Sequence, residues 1–220
     1  MIDQASIDAV LFDLDGTLMD TDDQAVETLA KLLKRLRIRQ PLQTARSLIL
    51  ASEPPGNALI TLVDMVGLDT TLIRFTDRLR RWRGLRTQAN YRLIAGAEDM
   101  LAHLRQRYRL GIVTTRSLRE ARAFLTQYDL QDAFEVVVTR ESTWRLKPHP
   151  SPIRLAAQLM GVPIERCAMV GDTTVDMKSA RRAGAIAVGV LCGFGDRASL
   201  EQAGANIILE HTSEIVSLLT

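Results

Sequence analysis

The sequence predicts an α/β fold, a doubly wound parallel sheet interrupted by an all-helical insertion. Three features of its 220 residues carry that expectation. Short, continuously apolar runs stop abruptly at polar residues, as strands covered on both faces do. Amphipathic segments with helix-start and helix-stop signals lie between those runs, the alternation that builds a parallel sheet. From Met19 to Leu93, helical periodicity continues without a convincing buried strand. The expected division is therefore an α/β core from residues 1–18 and 94–220, with residues 19–93 as an inserted helical unit.

The first strand is Ala9 to Phe12 (AVLF), which ends at Asp13. Within the insertion, Ala25, Leu29, Leu32, Leu33 and Leu36 fall on one helix face, with Asp22 and Asp23 at its favourable N-terminal end. Glu53 to Asn57 (EPPGN) punctuates a further helical run, and Ile73 to Trp82 supplies another. Apolar runs recur at Leu110 to Val113, Phe134 to Val138, Cys167 to Val170 and Ala185 to Leu191, with Ile207 to Leu209 as a short edge strand. A helix is expected from Leu118 to about Gln127, because Ser117 and Glu120 have the spacing at which each satisfies an orphan amide of the first turn. A second follows Ser151, with Pro152 at its first position and Gly161 ending it. A third follows Asp172, started by Thr173 and Asp176 and stopped at Gly184.

Composition narrows the function classes. With 46% hydrophobic and 25% charged residues and a mean hydropathy near zero, the chain reads as an ordinary globular protein. Only 5% of residues are aromatic, too few for broad base-stacking platforms, and a net charge of +2 does not predict nucleic-acid binding. The insertion nevertheless has an excess of basic side chains. Cys167 and Cys192 lack disulfide-framework or metal-ligand spacing, which fits a reduced cytoplasm. The opening residues show no basic region followed by an apolar core, and no apolar run approaches about 18 residues, so neither export nor membrane insertion is expected.

The strongest chemical signal is Asp13-Leu14-Asp15-Gly16-Thr17, directly after the first strand. Ligands of open parallel sheets bind beyond the carboxyl ends of the strands. Two carboxylates two residues apart in extended backbone can face one cavity. Their repulsion favours a bound cation, or raises one pKa so that one serves as nucleophile and the other as acid or base. Gly16 lets the backbone turn closely around a ligand. Taken alone, such a pair can also be a plain loop with a cap, but three further sites lie at the same edge. Thr114-Thr115 ends the second strand, and Lys147-Pro148-His149-Pro150 follows the third. A loop lysine is usually a solvated charge; here it can compensate the carboxylates and a phosphate. Gly171-Asp172-Thr173-Thr174-Val175-Asp176 ends the fourth strand. Asp172 can complete an oxygen-rich Mg²⁺ site, while Asp176 can support it, orient Lys147 or serve the helix N-terminus.

These ordered motifs resemble the haloacid dehalogenase superfamily, and the insertion after the first motif resembles the C1 cap of its phosphoglycolate phosphatase-like and β-phosphoglucomutase-like branch. The resemblance implies a Rossmann-like core, with Asp13 attacking phosphorus to form an aspartyl phosphate. It implies Asp15 as leaving-group acid and then as base for water, with Thr114 and Lys147 holding phosphoryl oxygens. Mg²⁺ would be held by the Asp13 carboxylate, the Asp15 main-chain carbonyl and Asp172, with Gly16, Thr17, Thr115, Gly171 and Asp176 in support. Many members have Asn where this chain has Thr115, which touches a secondary contact only.

The expected activity is a Mg²⁺-dependent phosphatase acting on a small phosphorylated metabolite, as a monomer or homodimer. A sugar-phosphate mutase of the β-phosphoglucomutase type is the nearest alternative, and a receiver-like signalling protein or silent binding protein the non-enzymatic one. The insertion is expected to select the substrate and close over it. Arg46, Arg74 and Arg78 are its candidate anion contacts, although arginines at the spacing of Arg74, Arg78 and Arg81 usually form a solvated face. Gly193-Phe194-Gly195-Asp196-Arg197-Ala198 matches a dinucleotide pattern but reads as a loop, since it comes late in the sheet. His103 and His211 read as surface residues, His149 as part of the proline turn, and Trp82 and Trp144 as packing or loop anchors.

Overall fold

The computed structural model describes residues 7–20 and 91–219. The chain divides into two units, Met1–Asp22 with Tyr91–Thr220, and Asp23–Asn90. The helices expected in the insertion, and with them Arg46, Arg74, Arg78 and Trp82, lie outside the described residues.

Six strands form one sheet: β1 (Ala9–Phe12), β2 (Arg109–Val113), β3 (Val136–Val138), β4 (Cys167–Gly171), β5 (Ile186–Val190) and β6 (Ile207–Leu209). Their order is β3-β2-β1-β4-β5-β6, and every pairing is parallel. Connections that wind outward on both sides of β1 make β1 and β4 neighbours, the point at which such sheets open a crevice. Among the described residues six α-helices accompany them: α1 (Ala97–Leu104), α2 (Leu118–Gln127), α3 (Ser151–Met160), α4 (Thr174–Ala183), α5 (Arg197–Ala203) and α6 (Ile215–Leu219).

The strands read as unbroken apolar runs because both faces are covered. Val10 and Phe12 point with Leu110, Ile112 and Val170 into a core completed by Met100, Leu101 and Leu104 of α1, Phe124 of α2 and Ile215 of α6. Ala9 and Leu11 point the other way, with Val113 and Met169, against Ile153 and Met160 of α3, Met177 of α4 and Leu200 of α5. Three of these helices are set by local chemistry as well. The capping boxes at Ser117/Glu120 and Thr173/Asp176 are both formed, and α3 and α4 end at Gly161 (φ 63°) and Gly184 (φ 95°) in left-handed conformation. Pro152 occupies the second position of α3, whose first residue is Ser151.

Several boundaries differ from the sequence reading. Phe134 and Glu135 precede β3: the Phe134 ring packs edge-on against Phe12 at 6.5 Å, and the pairing register with β2 opens at Val136. Ala185 is lost from β5 because its amide caps α4 by donating to Ala180 O. Helices α1 and α6 were not anticipated, and Arg197 opens α5 within the stretch read as a loop, with Asp196 accepting from Ser199 N. Trp144 is 85% exposed, so it neither packs nor anchors. His103 and His211 are at the surface as expected.

Where the first described stretch ends and the second begins, Met19 and Leu93 form an isolated antiparallel bridge. Tyr91 is fixed there by Gln127, which both accepts from its N–H (3.1 Å) and donates to its carbonyl (2.7 Å). Its ring stacks edge-on on Phe124 at 6.0 Å. Phe124 thus joins α2, the sheet and the returning chain, and Phe124→Ala is expected to destabilise the fold by about 3–5 kcal/mol. Leu159→Ala, at a side chain 61% exposed, should change stability by less than about 0.5 kcal/mol. Urea unfolding of both variants checks this; equal losses would refute the assignment of Phe124 to the load of the core.

Candidate active site

The ends of β1, β2 and β4 and the loop after β3 deliver the polar residues to one place. Asp13 N–H continues the ladder by donating to Val170 O (2.9 Å), and Thr114 N–H does the same to Val138 O (2.9 Å). Both side chains therefore stand one residue past the paired strands. The chain then tightens: Leu14 O accepts from Leu18 N–H and Met19 N–H, and Gly16 N–H donates to Met19 O, with Gly16 in left-handed conformation (φ 68°). A side chain at Gly16 would also run into the Asp172 carboxyl group. Glycine is needed there on both counts.

Among the described residues, the buried charged side chains are Asp13, Lys147, Asp172 and Asp176. The Lys147 ammonium donates to Val113 O (2.9 Å) and to Asp176 Oδ1 (2.5 Å), and lies 3.0 Å from Asp13 Oδ1. The last contact is an ion pair without hydrogen-bond alignment. Asp13 Oδ1 is accordingly the buried side-chain polar atom that lacks a hydrogen-bond partner among the described residues. Asp176 Oδ2 accepts from Thr173 N–H and its hydroxyl, so this residue caps α4 with one oxygen and holds Lys147 with the other. A Cβ at Gly171 would overlap Asp176, which explains the glycine at the end of β4.

Charge in this pocket is out of balance. Burial is the largest effect on Asp13 and lifts its pKa to about 7, against the pull of Lys147 and with the push of Asp176 and Asp15. Burial, then the negative charges of Asp176 and Asp13, likewise raise Asp172 well above the carboxylate range. Burial alone would lower Lys147, but Asp13 and Asp176 outweigh it and hold the ammonium charged. Three buried carboxylates face one buried cation, leaving two negative charges uncompensated when all are ionised. Oxygens of Asp13, Asp172 and Asp176 lie within 4.8 Å of one another. Asp176 accepts three donors, one of them the Lys147 ammonium, whereas Asp172 accepts one uncharged donor on each oxygen and Asp13 Oδ1 none among the described residues, so Asp13 and Asp172 keep lone pairs for a cation. A hard divalent cation fits this all-oxygen set and the orphaned Asp13 Oδ1; a thiolate-preferring metal does not.

The neighbours complete the arrangement. Asp172 Oδ1 accepts from the Thr17 hydroxyl (3.2 Å), and Asp172 Oδ2 from Phe194 N–H (2.8 Å). Thr17 is buried, and its own carbonyl accepts from the Thr212 hydroxyl (2.7 Å). Thr114 Oγ1 accepts from Arg116 N–H (3.1 Å), which leaves its hydroxyl hydrogen to be donated elsewhere. Thr115 is solvent-exposed, unlike the buried Thr114 beside it. His149 belongs to the turn: its Nδ1 accepts from Ser151 N–H at 3.2 Å.

Sequence reasoning missed Arg116 and the turn at Gly193 to Gly195. Arg116 grips Asp15 with both prongs, Nε to Oδ2 at 2.7 Å and Nη2 to Oδ1 at 2.6 Å. Its guanidinium also lies 5.9 Å from the centre of the Tyr91 ring. With side chains 23% and 27% exposed, the pair contributes no more than about 1 kcal/mol. Its effect is to orient the Asp15 carboxyl. The available signal was an arginine two residues past Thr114, at the same sheet edge as Asp15.

Comparison with known proteins agrees with this fold. Residues 10–190 match the family model of the haloacid dehalogenase-like hydrolases. Pyrophosphatase PpaX of Bacillus cereus is 29% identical over 97% of this chain and 97% of its own length. Probable phosphatase IndB of Dickeya dadantii is 30% identical, covering 94% of this chain and 91% of its own. A hydrolase of known structure from Pseudomonas syringae superimposes with a TM-score of 0.71 and 29% identity, covering 96% of this chain and 97% of its own. With its parallel sheet, its four ordered motifs and a family match across most of its length, the chain belongs to the haloacid dehalogenase-like hydrolases.

Proposed function

We propose that the protein is a Mg²⁺-dependent phosphatase that hydrolyses a small phosphorylated molecule through an aspartyl phosphate on Asp13. The observation that carries this reading is Asp13 Oδ1, buried at the sheet edge, without a hydrogen-bond partner among the described residues, and 3.0 Å from the Lys147 ammonium. A carboxylate oxygen so held has an unused lone pair directed by a fixed cation. The names of the relatives, a pyrophosphatase and a probable phosphatase, support the reaction class.

In this reading an Asp13 oxygen attacks phosphorus, the phosphorus–oxygen bond to the leaving group breaks, and its electron pair goes to the departing oxygen. Asp15 gives that oxygen a proton, then removes one from the water that attacks the aspartyl phosphate, releasing inorganic phosphate and restoring Asp13. Arg116 sets the plane of the Asp15 carboxyl for both transfers. Thr114 donates its hydroxyl to one phosphoryl oxygen, and Lys147, already anchored by Asp176 and Val113 O, faces another. Mg²⁺ bound by Asp13, Asp172 and the Asp15 main-chain carbonyl would neutralise charge on the transferring group, the chief need of phosphoryl transfer. Gly16, Thr17 and Gly171 serve by letting the loops close on Asp172 and Asp176. Residues 19–93 act as the substrate-selecting cap, with the protein working as a cytoplasmic monomer or homodimer.

Three outcomes test this proposal. Asp13→Asn, which keeps the side-chain volume, should lower phosphate release from pyrophosphate or p-nitrophenyl phosphate at least about a thousandfold while the thermal midpoint stays near wild type; a pure variant with the wild-type rate would sink it. EDTA should stop turnover and added Mg²⁺ restore it, and full activity after exhaustive metal removal refutes the cation requirement. Alanine at Arg46, Arg74 or Arg78 should reorder a ranking of anionic phosphorylated metabolites, raising KM for the preferred one about tenfold or more, the worth of one charge-assisted hydrogen bond. An unchanged ranking across all three variants refutes their role. Isomerisation of a sugar phosphate faster than phosphate release would assign a mutase instead.

A further inference from the structure

The Gly193-Phe194-Gly195 turn after β5, read from the sequence as a loop, contains two glycines whose presence needs a cause. Backbone conformation is not that cause, since neither Gly193 nor Gly195 has a left-handed φ. Space is. A Cβ on Gly193 would overlap the Asp172 carboxyl group, and a Cβ on Gly195 would overlap the Asp172 carbonyl oxygen. Between the two, Phe194 N–H donates to Asp172 Oδ2 (2.8 Å) and Gly195 N–H to Asp172 O (3.0 Å). The turn therefore lies flat against one residue and hydrogen-bonds both its side chain and its main chain.

A second loop meets Asp172 in the same way. Gly16 also leaves no room for a Cβ beside the carboxyl group, and the Thr17 hydroxyl meets Oδ1 at 3.2 Å. Asp172 is thus clamped between two glycine-containing loops that are remote in sequence, with one donor on each oxygen, and it is fully buried. A carboxylate so confined has one rotamer and cannot swing to follow a badly placed ligand.

We infer that the Gly193 to Gly195 turn is a positioning element for the cation: it fixes the Asp172 carboxylate and thereby favours Mg²⁺ over Ca²⁺. This rests on the reading of Asp172 as a cation ligand. Mg²⁺ demands near-ideal octahedral geometry at short distance, whereas Ca²⁺ tolerates more ligands, longer distances and looser angles. A carboxylate displaced by a few tenths of an ångström therefore penalises Mg²⁺ more than Ca²⁺. Outer groups that orient a metal ligand typically alter affinity by about 10–100-fold when lost.

The experiment is calorimetric titration of the full chain, freed of metal, with MgCl₂ and separately with CaCl₂ at one pH. Gly193→Ala should weaken Mg²⁺ binding at least about tenfold and Ca²⁺ binding by a smaller factor. Gly161→Ala is the control, because Gly161 has a left-handed φ of 63° but open space around it. That variant should lose stability and keep the wild-type Mg²⁺ affinity. If Gly193→Ala does not fold, Phe194→Pro decides, since it replaces the N–H donor to Asp172 Oδ2 by the proline Cδ and so displaces the same carboxylate from the turn without a side chain at residue 193. Mg²⁺ affinity within twofold of wild type in whichever variant folds would overturn the inference. Absence of Mg²⁺ binding in the unmodified chain would instead overturn the cation reading beneath it.

Discussion

Everything at the sheet edge depends on keeping one ammonium group buried between carboxylates. Lys147 is almost fully enclosed, and it stays charged because Asp13 and Asp176 outweigh the cost of its burial. The carboxylates need Lys147 as much. Removing one partner from such a pair typically costs about 3–5 kcal/mol, a large share of the roughly 5–15 kcal/mol that holds a domain folded. The cluster is therefore a structural liability. Three negative groups to one positive group leave it short of positive charge, the gap that the proposed cation would fill.

The sheet order makes this concentration of charge possible. Because β1 pairs with β2 on one side and β4 on the other, Asp13, Thr114 and Asp172 emerge at one edge although the chain places them far apart. Apolar side chains fill both faces right up to Phe12, Val113 and Val170, so the change from dry core to polar pocket happens within one or two residues. The same side chains that stabilise the fold keep these groups buried. Low local dielectric then makes each pairing stronger and each unpaired atom more costly, which is why the orphaned Asp13 Oδ1 carries so much meaning.

Most of the architecture was legible in the sequence because its signals were local. Doubly covered strands appear as apolar runs, and the two capping boxes are written in residues three apart. Helix α1 was overlooked although Ala97, Met100, Leu101 and Leu104 fall at helical spacing. No polar cap announces it, since Gly96 precedes it without a side-chain cap. The core carboxylates, Thr114 and Lys147 were legible because the motifs sit at the ends of recognisable strands. Arg116 and the Gly193 to Gly195 turn were not, because their partners Asp15 and Asp172 are distant in sequence, and nothing in the local pattern specifies such pairings. Trp144 shows the converse failure: an aromatic residue suggests packing, but only tertiary structure decides whether anything covers it.

Asp176 shows how little separates scaffold from chemistry here. Its Oδ2 closes the first turn of α4 and its Oδ1 holds Lys147, so the start of one helix and the aim of the central cation are a single geometric fact. Asparagine could still cap the helix with its carbonyl oxygen, but it would bring an uncharged group to the lysine. Glutamate would keep the charge yet carry the carboxyl one methylene farther, into the space that Gly171 barely provides. Only a short carboxylate satisfies the helix amide, the ammonium and the glycine at once. The same logic applies at Asp172, where two glycine loops and two donors leave a single placement. At Asp176 and Asp172, the residues that hold the sheet edge together are therefore also the residues that would aim a lysine and a cation at a phosphoryl group.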